Sequence, residues 1–436
     1  MTAKKDWRNQ ERSYRRMIKR LGADPPAEKR DTQIALWHAL GEIYRSRLKD
    51  YRAATAAFEV AVSLNKGDLR RRQILAELYQ LSGPENYDKA VQELRFLVKN
   101  TPEPADASPH LKTLRRLYLD MQLYDRAWCV TSALAFLRKA DPEEQQFFEQ
   151  YRAKGFVRAK ARLTEELWQR NIYHPDEDRY ISHIFASVST AVAAAYAKEH
   201  KDWGLKRKDR RDVSSDQLLF SKVFSYLVQV MAVPQPELYL RPESPGELDL
   251  ANAREKAQLT PSFVVGASLL QGRVEKELAY ITAKKLTWMR PDHFVRWPTV
   301  VPTMAQLRVV FLAALRLVQP AFTVKPELAQ PVNQYLDFLR KLIPPQMLEQ
   351  LSVVVQRFIA SKAEADITRW ATAVDFTATR AGFLLCNDLE VAARLVQSEP
   401  IAVGSAEPKD KIRDLVQWSV SDEYFAVREH LGLTIG

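Results

Sequence analysis

Seven histidines (His38, His110, His174, His183, His200, His293 and His430) and two cysteines (Cys129 and Cys386) are the first places to look for chemistry in this 436-residue chain. No two of the histidines stand four apart, the spacing that puts two imidazoles on one helical face for a metal. Two cysteines cannot build a thiolate zinc site or a disulfide framework. Cys386, in Leu384-Leu385-Cys386-Asn387, and Cys129, beside Trp128, read as buried, inert thiols. His293, in Pro291-Asp292-His293-Phe294, could pair with Asp292 as a base, but it follows a helix in a loop with no visible nucleophile and is set aside. The chain has no Gly-x-Ser-x-Gly, P-loop or Rossmann glycine pattern. The run Lys206, Arg207, Lys208, Asp209, Arg210, Arg211 is either a phosphate-binding patch or a solvated interacting loop. The second reading is preferred, because no aromatic interleaving accompanies it.

The elements that would position such groups are mostly helical. Only 13 glycines occur, amid alanine- and leucine-rich stretches. Charged residues are 27% and hydrophobic residues 46%, a globular balance that excludes a disordered chain. Residues Met1 to Leu21 lack the apolar core of a secretory signal, and no run of about 18 apolar residues predicts a membrane span. A reducing, cytoplasmic setting is expected. The net charge is +11, and residues 1–160 hold 31 Lys/Arg against 21 Asp/Glu, so nearly all of the excess lies in the first third. That asymmetry predicts a domain boundary near Gly155 and leaves a basic nucleic-acid-binding protein as one alternative.

The first third repeats. Trp37-x-x-Leu40-Gly41-x-x-Tyr44 is followed by Ala54-x-x-x-Phe58. Leu75, Ala76 and Tyr79 with Ala90, Leu94 and Pro102 form a second unit, and Leu114, Tyr118 and Ala127 a third. The aromatic positions advance by 35 and then 39 residues, close to the ~34-residue period of helix-turn-helix arrays. Residues Trp7 to Leu21 read as the second helix of an earlier unit, and Pro142 to Tyr151 as a closing helix. The stretch resembles tetratricopeptide repeats. The resemblance implies a superhelix whose inner groove binds a protein or peptide partner. By spacing, groove positions are His38, Glu42 and Arg45; Gln73, Glu77 and Gln80; Lys112, Arg116 and Asp120. The alternative is a plain solvated helix face.

A helical connector is expected over 156–233, with helices near 163–171, 178–200 and 216–231 and Asp176 capping the second. From residue 234 onward the features come in an ordered series. A Pro236-Glu237-Leu238-Tyr239-Leu240 strand, an Asn252-Ala253 loop and an apolar strand over 261–266 come first. Leu269-Leu270, a Glu277-Leu278-Ala279 helix and Ala378-x-Arg380-Ala381-Gly382 on a later helix follow. This order resembles the zinc metallopeptidase domain of the family that includes HtpX and BepA. That family implies a His-Glu-x-x-His helix holding zinc, with a third carboxylate from the later helix. Here Lys284, Lys285 and Trp288 stand where the two His and the Glu belong. Asp375 is a shortened third ligand, and Thr379 replaces an acidic residue four positions on.

An ammonium has no lone pair for a metal. A divalent ion about 4 Å from one lysine meets roughly 8 kcal/mol of repulsion at an effective dielectric of about 20. Asp375 is therefore expected to pair with Lys284 or Lys285, and no cofactor or metal is expected. Two amphipathic tail helices, 409–418 and 423–431, are expected to cover this core, after a loop over Ile401 to Glu407.

The sequence thus predicts a mainly α chain: tetratricopeptide-type repeats over 1–155, the connector over 156–233, and an α-rich α+β zincin-like domain with a small sheet over 234–436. The expected function is a non-catalytic interaction scaffold with an inactive pseudo-metallopeptidase half. A zinc metallopeptidase with non-standard ligands is the other alternative.

Overall fold

The computed structural model describes residues 6–400 and 404–435. Ile401–Val403, part of the expected tail loop, lie outside them. The protein is about 67% helical with two small sheets. Among the described residues no helix is long and apolar enough to cross a membrane. The described residues divide into two compact units, one of 6–152 with 419–421 and 435, the other of 153–400 and 404–418 with 422–434.

In the first unit eight helices follow one another: α1 (Trp7–Leu21), α2 (Ala27–Glu42), α3 (Tyr51–Leu64), α4 (Leu69–Leu81), α5 (Tyr87–Asn100), α6 (Ser108–Asp120), α7 (Tyr124–Phe136) and α8 (Pro142–Tyr151). Each packs on its chain neighbours. Asp50, Asp68 and Asp141 accept the exposed backbone N–H groups that open α3, α4 and α8. Gly41 is needed for packing: a Cβ there would stand 2.7 Å from the Phe58 ring. That contact joins α2 to α3 through residues that the sequence spacing had singled out.

The second unit begins with a short helix, α9 (Glu165–Leu167), which widens into a π-type turn over Trp168–Ile172. Then come α10 (Arg179–Tyr196), β1 (Lys198–Glu199), β2 (Arg210–Arg211), α11 (Leu219–Met231), β3 (Glu237–Arg241), β4 (Leu248–Ala251), β5 (Ala253–Glu255), β6 (Gln258–Leu259) and β7 (Ser262–Gly266). The rest is helical: α12 (Ala267–Leu270), α13 (Glu275–Thr287), α14 (Met304–Val318), α15 (Pro326–Leu342), α16 (Pro345–Ser361), α17 (Ile367–Cys386), α18 (Leu389–Ser398), α19 (Pro408–Trp418) and α20 (Asp422–Leu431).

One sheet has the order β2-β3-β7-β4, with β3 and β7 parallel and the outer pairs antiparallel. The other is β1-β5-β6. Of the expected Asn252-Ala253 loop, Ala253 opens β5, and Asn252 is the single residue between β4 and β5. Its side chain donates to Ala193 O (2.9 Å), and its own carbonyl accepts from Lys198 N, so it ties α10 to the small sheet.

Several local expectations shift. The cap of α10 is Asp178, which accepts from Ile181 N, and Asp176 instead pairs with Arg369. Helix α10 stops at Tyr196, because Lys198 and Glu199 are drawn into the small sheet. Arg210 and Arg211 form an edge strand on β3, with Arg210 2.8 Å from Glu237.

Helices α13 and α17 pack closely. At their crossing a Cβ on Gly382 would come within 2.9–3.0 Å of the Tyr280 ring and backbone oxygen.

Candidate functional site

The charged interior of the second unit forms two constellations. The first lies between α13 and α17, where the family resemblance had placed zinc. Lys284 Nζ is 3.2 Å from Asp375 Oδ1, and Lys411 Nζ, from α19, is 2.8 Å from Asp375 Oδ2. Glu399 closes the group, 2.6 Å from Lys284 and 3.2 Å from Lys411. Burial would raise the Asp375 carboxyl, but the two ammonium groups outweigh it and hold it at about 2. Two lysines and two carboxylates balance, and both Asp375 oxygens are taken. Thr379 adds a hydroxyl bond to the Asp375 carbonyl (2.8 Å).

Lys285 and Trp288 do not join this group. Lys285 faces the rings of Trp288 and Trp297, 5.3 Å from each centroid, and burial pushes its ammonium down. One residue along a helix is a turn of about 100°, which carries adjacent lysines to different surroundings.

The second constellation was not assembled from sequence. Glu177 lies in the turn before α10, and Asp292 and His293 lie in the turn after α13. Among the described residues these are the one group of three whose metal-competent atoms converge, all within 4.8 Å of one another. His293 and Glu177 are sealed from solvent, with 0% side-chain exposure. His293 Nε2 is 2.6 Å from Glu177 Oε1 and 3.8 Å from Asp292 Oδ2. Its Nδ1 faces the Thr287 carbonyl at the end of α13 (3.3 Å).

Glu177 is held from two helices. Ser182 on α10 donates to Oε1 (3.1 Å) and Thr377 on α17 donates to Oε2 (2.7 Å). Trp370 Nε1 donates in turn to Ser182 (2.9 Å). Asp292 Oδ2 accepts from the Tyr173 hydroxyl, which itself accepts from Arg290 Nε (2.9 Å). Asp292 Oδ1 is buried with no hydrogen-bond donor, and Arg290 Nε is 3.7 Å away.

The electrostatics of this group are those of a proton held between carboxylates. Burial would lower the His293 imidazole, but Asp292 and Glu177 raise it above the ordinary value. Burial would raise Asp292, but His293 and Arg290 bring it below the usual carboxylate range. Both ring nitrogens of His293 face oxygen acceptors, which suits the doubly protonated ring. With Nε2 deprotonated, Nδ1–H on the Thr287 carbonyl is the second-shell bond that orients a metal-binding histidine.

A cleft of about 270 Å³ opens beside this group, walled by Asp292, Tyr173, Arg290, Ser182, Arg179 and His183. A larger apolar cavity of about 650 Å³ lies among α14, α15, α16 and the start of α17, but no metal-competent cluster adjoins it. The small cleft is where chemistry and space coincide.

These observations overturn the expectation of a non-catalytic scaffold with an inactive pseudo-metallopeptidase half. A buried His-carboxylate group able to chelate a metal is present, with Asp292 and His293 in that half and Glu177 in the expected connector, on other elements than those the resemblance pointed to. No single helix carries these ligands. Asp292 and His293 are adjacent in the chain, but Glu177 lies 116 residues before His293 and nothing local links them.

The remaining expected positions are placed as follows. In the first unit, Arg45 contacts Glu42 (3.1 Å) and Glu77 (3.6 Å), and Gln73 contacts Glu77. Gln80 accepts from Arg116 (2.5 Å), and Lys112 binds Asp141 and Glu144 on α8. Asp120 ends α6. His38 meets the Phe58 ring edge-on (5.4 Å), and burial lowers it. Lys206, Arg207 and Lys208 are exposed. Both cysteines are free and buried, and burial pushes the Cys386 thiol up to about 12.

The chain matches no known family model, and comparison with curated proteins and with solved structures finds no similar one.

Proposed function

We propose that the second unit is a metal-dependent hydrolase, a metallopeptidase with non-standard ligands Glu177, Asp292 and His293. The observation that carries this is the convergence of these three side chains, of which Asp292 lines a cleft, with one buried Asp292 oxygen lacking a hydrogen-bond donor. One imidazole and two carboxylates are a donor set that would suit zinc or manganese. Such an ion would supply a water with its pKa lowered to about 7. Held by Glu177, Asp292 and His293, the ion would supply an activated water for peptide hydrolysis, in which the water's oxygen would add to the carbonyl carbon, the C–N bond would break and a proton would go to the departing nitrogen. His183, which lines the cleft, would carry that proton. Arg290 and Tyr173 set the orientation of Asp292.

The HtpX/BepA-type resemblance supports this reading through the order of strands and helices alone. For the first unit we infer a tetratricopeptide-type array, supported by the burial of Leu40, Tyr44, Ala54 and Phe58 around Gly41. Its inner groove would hold an extended polypeptide segment.

The test is metal content. Full-length protein dialysed against Zn²⁺ or Mn²⁺ and then against buffer should retain close to one equivalent. His293→Ala and Asp292→Asn should retain almost none while keeping the helical circular-dichroism signal. Casein cleavage by the loaded protein should stop with a chelator. Folded wild type that retains no ion under either condition would overturn the reading.

A further inference from the structure

The first unit has a cavity of its own between α1, α2 and α3. Its volume is about 380 Å³, inside the range of binding pockets, about 300–1,000 Å³. Ile18, Trp37, Ala53, Ala56 and Val60 give it an apolar lining, and none of the expected groove positions belongs to it. The small side chains of α3 leave the space hollow, and Trp37 beside it is only half-buried. Among the described residues, the charged side chains that line the cavity are Arg15 and Lys19, both cations of α1.

Helix α1 has six cations and a single carboxylate, Glu11. That carboxylate is already used: Glu11 accepts from the Tyr44 hydroxyl (2.6 Å) and pairs with Arg15 Nε (2.6 Å). Arg15 is nonetheless 65% exposed. Lys19 is exposed and, among the described residues, has no ion-pair or hydrogen-bond partner. Arg8, Arg12, Arg15 and Lys19 follow one another at steps of four, three and four, so they form a stripe of about 17 Å along one side of α1. Like charges one turn apart repel, and an anion laid along such a stripe relieves them.

The cavity selects among anionic partners. A bilayer is entered by side chains that project, whereas these apolar groups are recessed. Phosphodiester contacts would use the cations and leave the hollow empty. A polypeptide supplies both parts, carboxylates for the stripe and an apolar side chain that seats as an anchor in a pocket. We propose that the cavity and the α1 stripe form a docking site for an acidic peptide segment of a partner protein. One large apolar side chain of that segment enters the hollow beside Trp37, and its carboxylates meet Arg15 and Lys19. The site is separate from the proposed metal centre and from the inner groove of the array, and it stands or falls without either.

The experiment titrates the full-length protein into a fluorescein-labelled heptapeptide of glutamates around a central phenylalanine, read by fluorescence polarisation. Saturable binding that weakens with added salt is expected. Exchanging the peptide's phenylalanine for alanine should weaken it about tenfold or more, the loss of one anchor. Ala56→Leu, which fills the hollow from an exposed position, should do the same. Lys19→Glu should weaken binding of the glutamate peptide, whereas Lys208→Glu, an exposed cation of the second unit, should not. Circular dichroism and Tm check that the variants fold, and if Ala56→Leu does not, the two peptides on wild type decide alone. No binding, or equal binding of the phenylalanine and alanine peptides, would overturn the proposal. So would tighter binding of a single-stranded oligonucleotide or of phosphatidylserine vesicles that Ala56→Leu leaves unchanged.

Discussion

His293 Nε2 and Glu177 Oε1 sit 2.6 Å apart across 116 residues of chain, sealed from solvent on both sides. Their separation is that of a hydrogen bond, shorter than the spacing of two atoms sharing a metal with bonds of about 2.0–2.2 Å each. A proton and a metal ion therefore compete for one place, and much of the behaviour of this centre follows from that competition.

The pH dependence has a definite sign. Asp292 and Glu177 raise His293, so the fold favours the protonated ring. The stability this gives the metal-free protein is complete below the unfolded value near 6.5, and it is lost as pH rises through the higher native value. Metal uptake needs the neutral ring and tightens over the same rise, releasing a proton. Urea midpoints should thus fall with pH for the metal-free wild type and rise for the Zn²⁺-loaded protein, and His293→Gln should flatten both trends.

Removing the hydroxyl that supports Glu177 should loosen the centre without touching a ligand. Thr377→Val leaves Oε2 of a buried carboxylate without its 2.7 Å donor. A cost of about 1–3 kcal/mol is expected in thermal unfolding, with weakened metal retention. Thr377→Ser should restore most of both.

The lysine cluster should show strong coupling. Asp375→Ala alone leaves Lys284 and Lys411 with only Glu399 between them, and should cost about 3–5 kcal/mol. Adding Lys284→Met removes the surplus charge, so the double variant should be more stable than Asp375→Ala. Additive changes in a double-mutant cycle would exclude the coupling.

Acid should act on the same cluster from the other side. With Asp375 held at about 2 against an ordinary 3.8, its contribution is complete above pH 3.8 and lost as pH falls through 2. The loss is on the order of 2 kcal/mol. It should appear as a steeper acid limb of urea-midpoint stability in wild type than in the Asp375→Ala, Lys284→Met double variant.

Helix spacing should not tolerate a methyl group at the α13–α17 crossing. Gly382→Ala places a Cβ 2.9–3.0 Å from Tyr280, including its backbone oxygen, which cannot swing aside. Destabilisation of about 1–3 kcal/mol is expected from such overpacking, read as a lowered Tm.

The parts of the molecule that were legible in sequence are those written at short range. The Trp37–Phe58 pattern marks two helices and their contact, because the interlocking residues recur at helical spacing. The span Pro142–Tyr151 is set by a local cap, with Asp141 and Glu144 three residues apart. Asp176 and Asp178 both offer a cap-forming carboxylate before α10, and only tertiary pairing with Arg369 takes Asp176 out of that role. The centre was illegible for another reason: its ligands come from two turns, one before α10 and one after α13. A turn carries no period, and only long-range packing makes them neighbours.

Asp375 and Thr377 stand two residues apart on α17, one bound to the lysines and the other to Glu177. Two positions along a helix is roughly 200° of rotation, so they point to nearly opposite flanks. The helix is thus a partition with a tenant on each side. A twist about its axis that eased one would misalign the other. Drift in either centre is therefore constrained by its neighbour across the wall, and substitutions there should accumulate in correlated sets rather than singly.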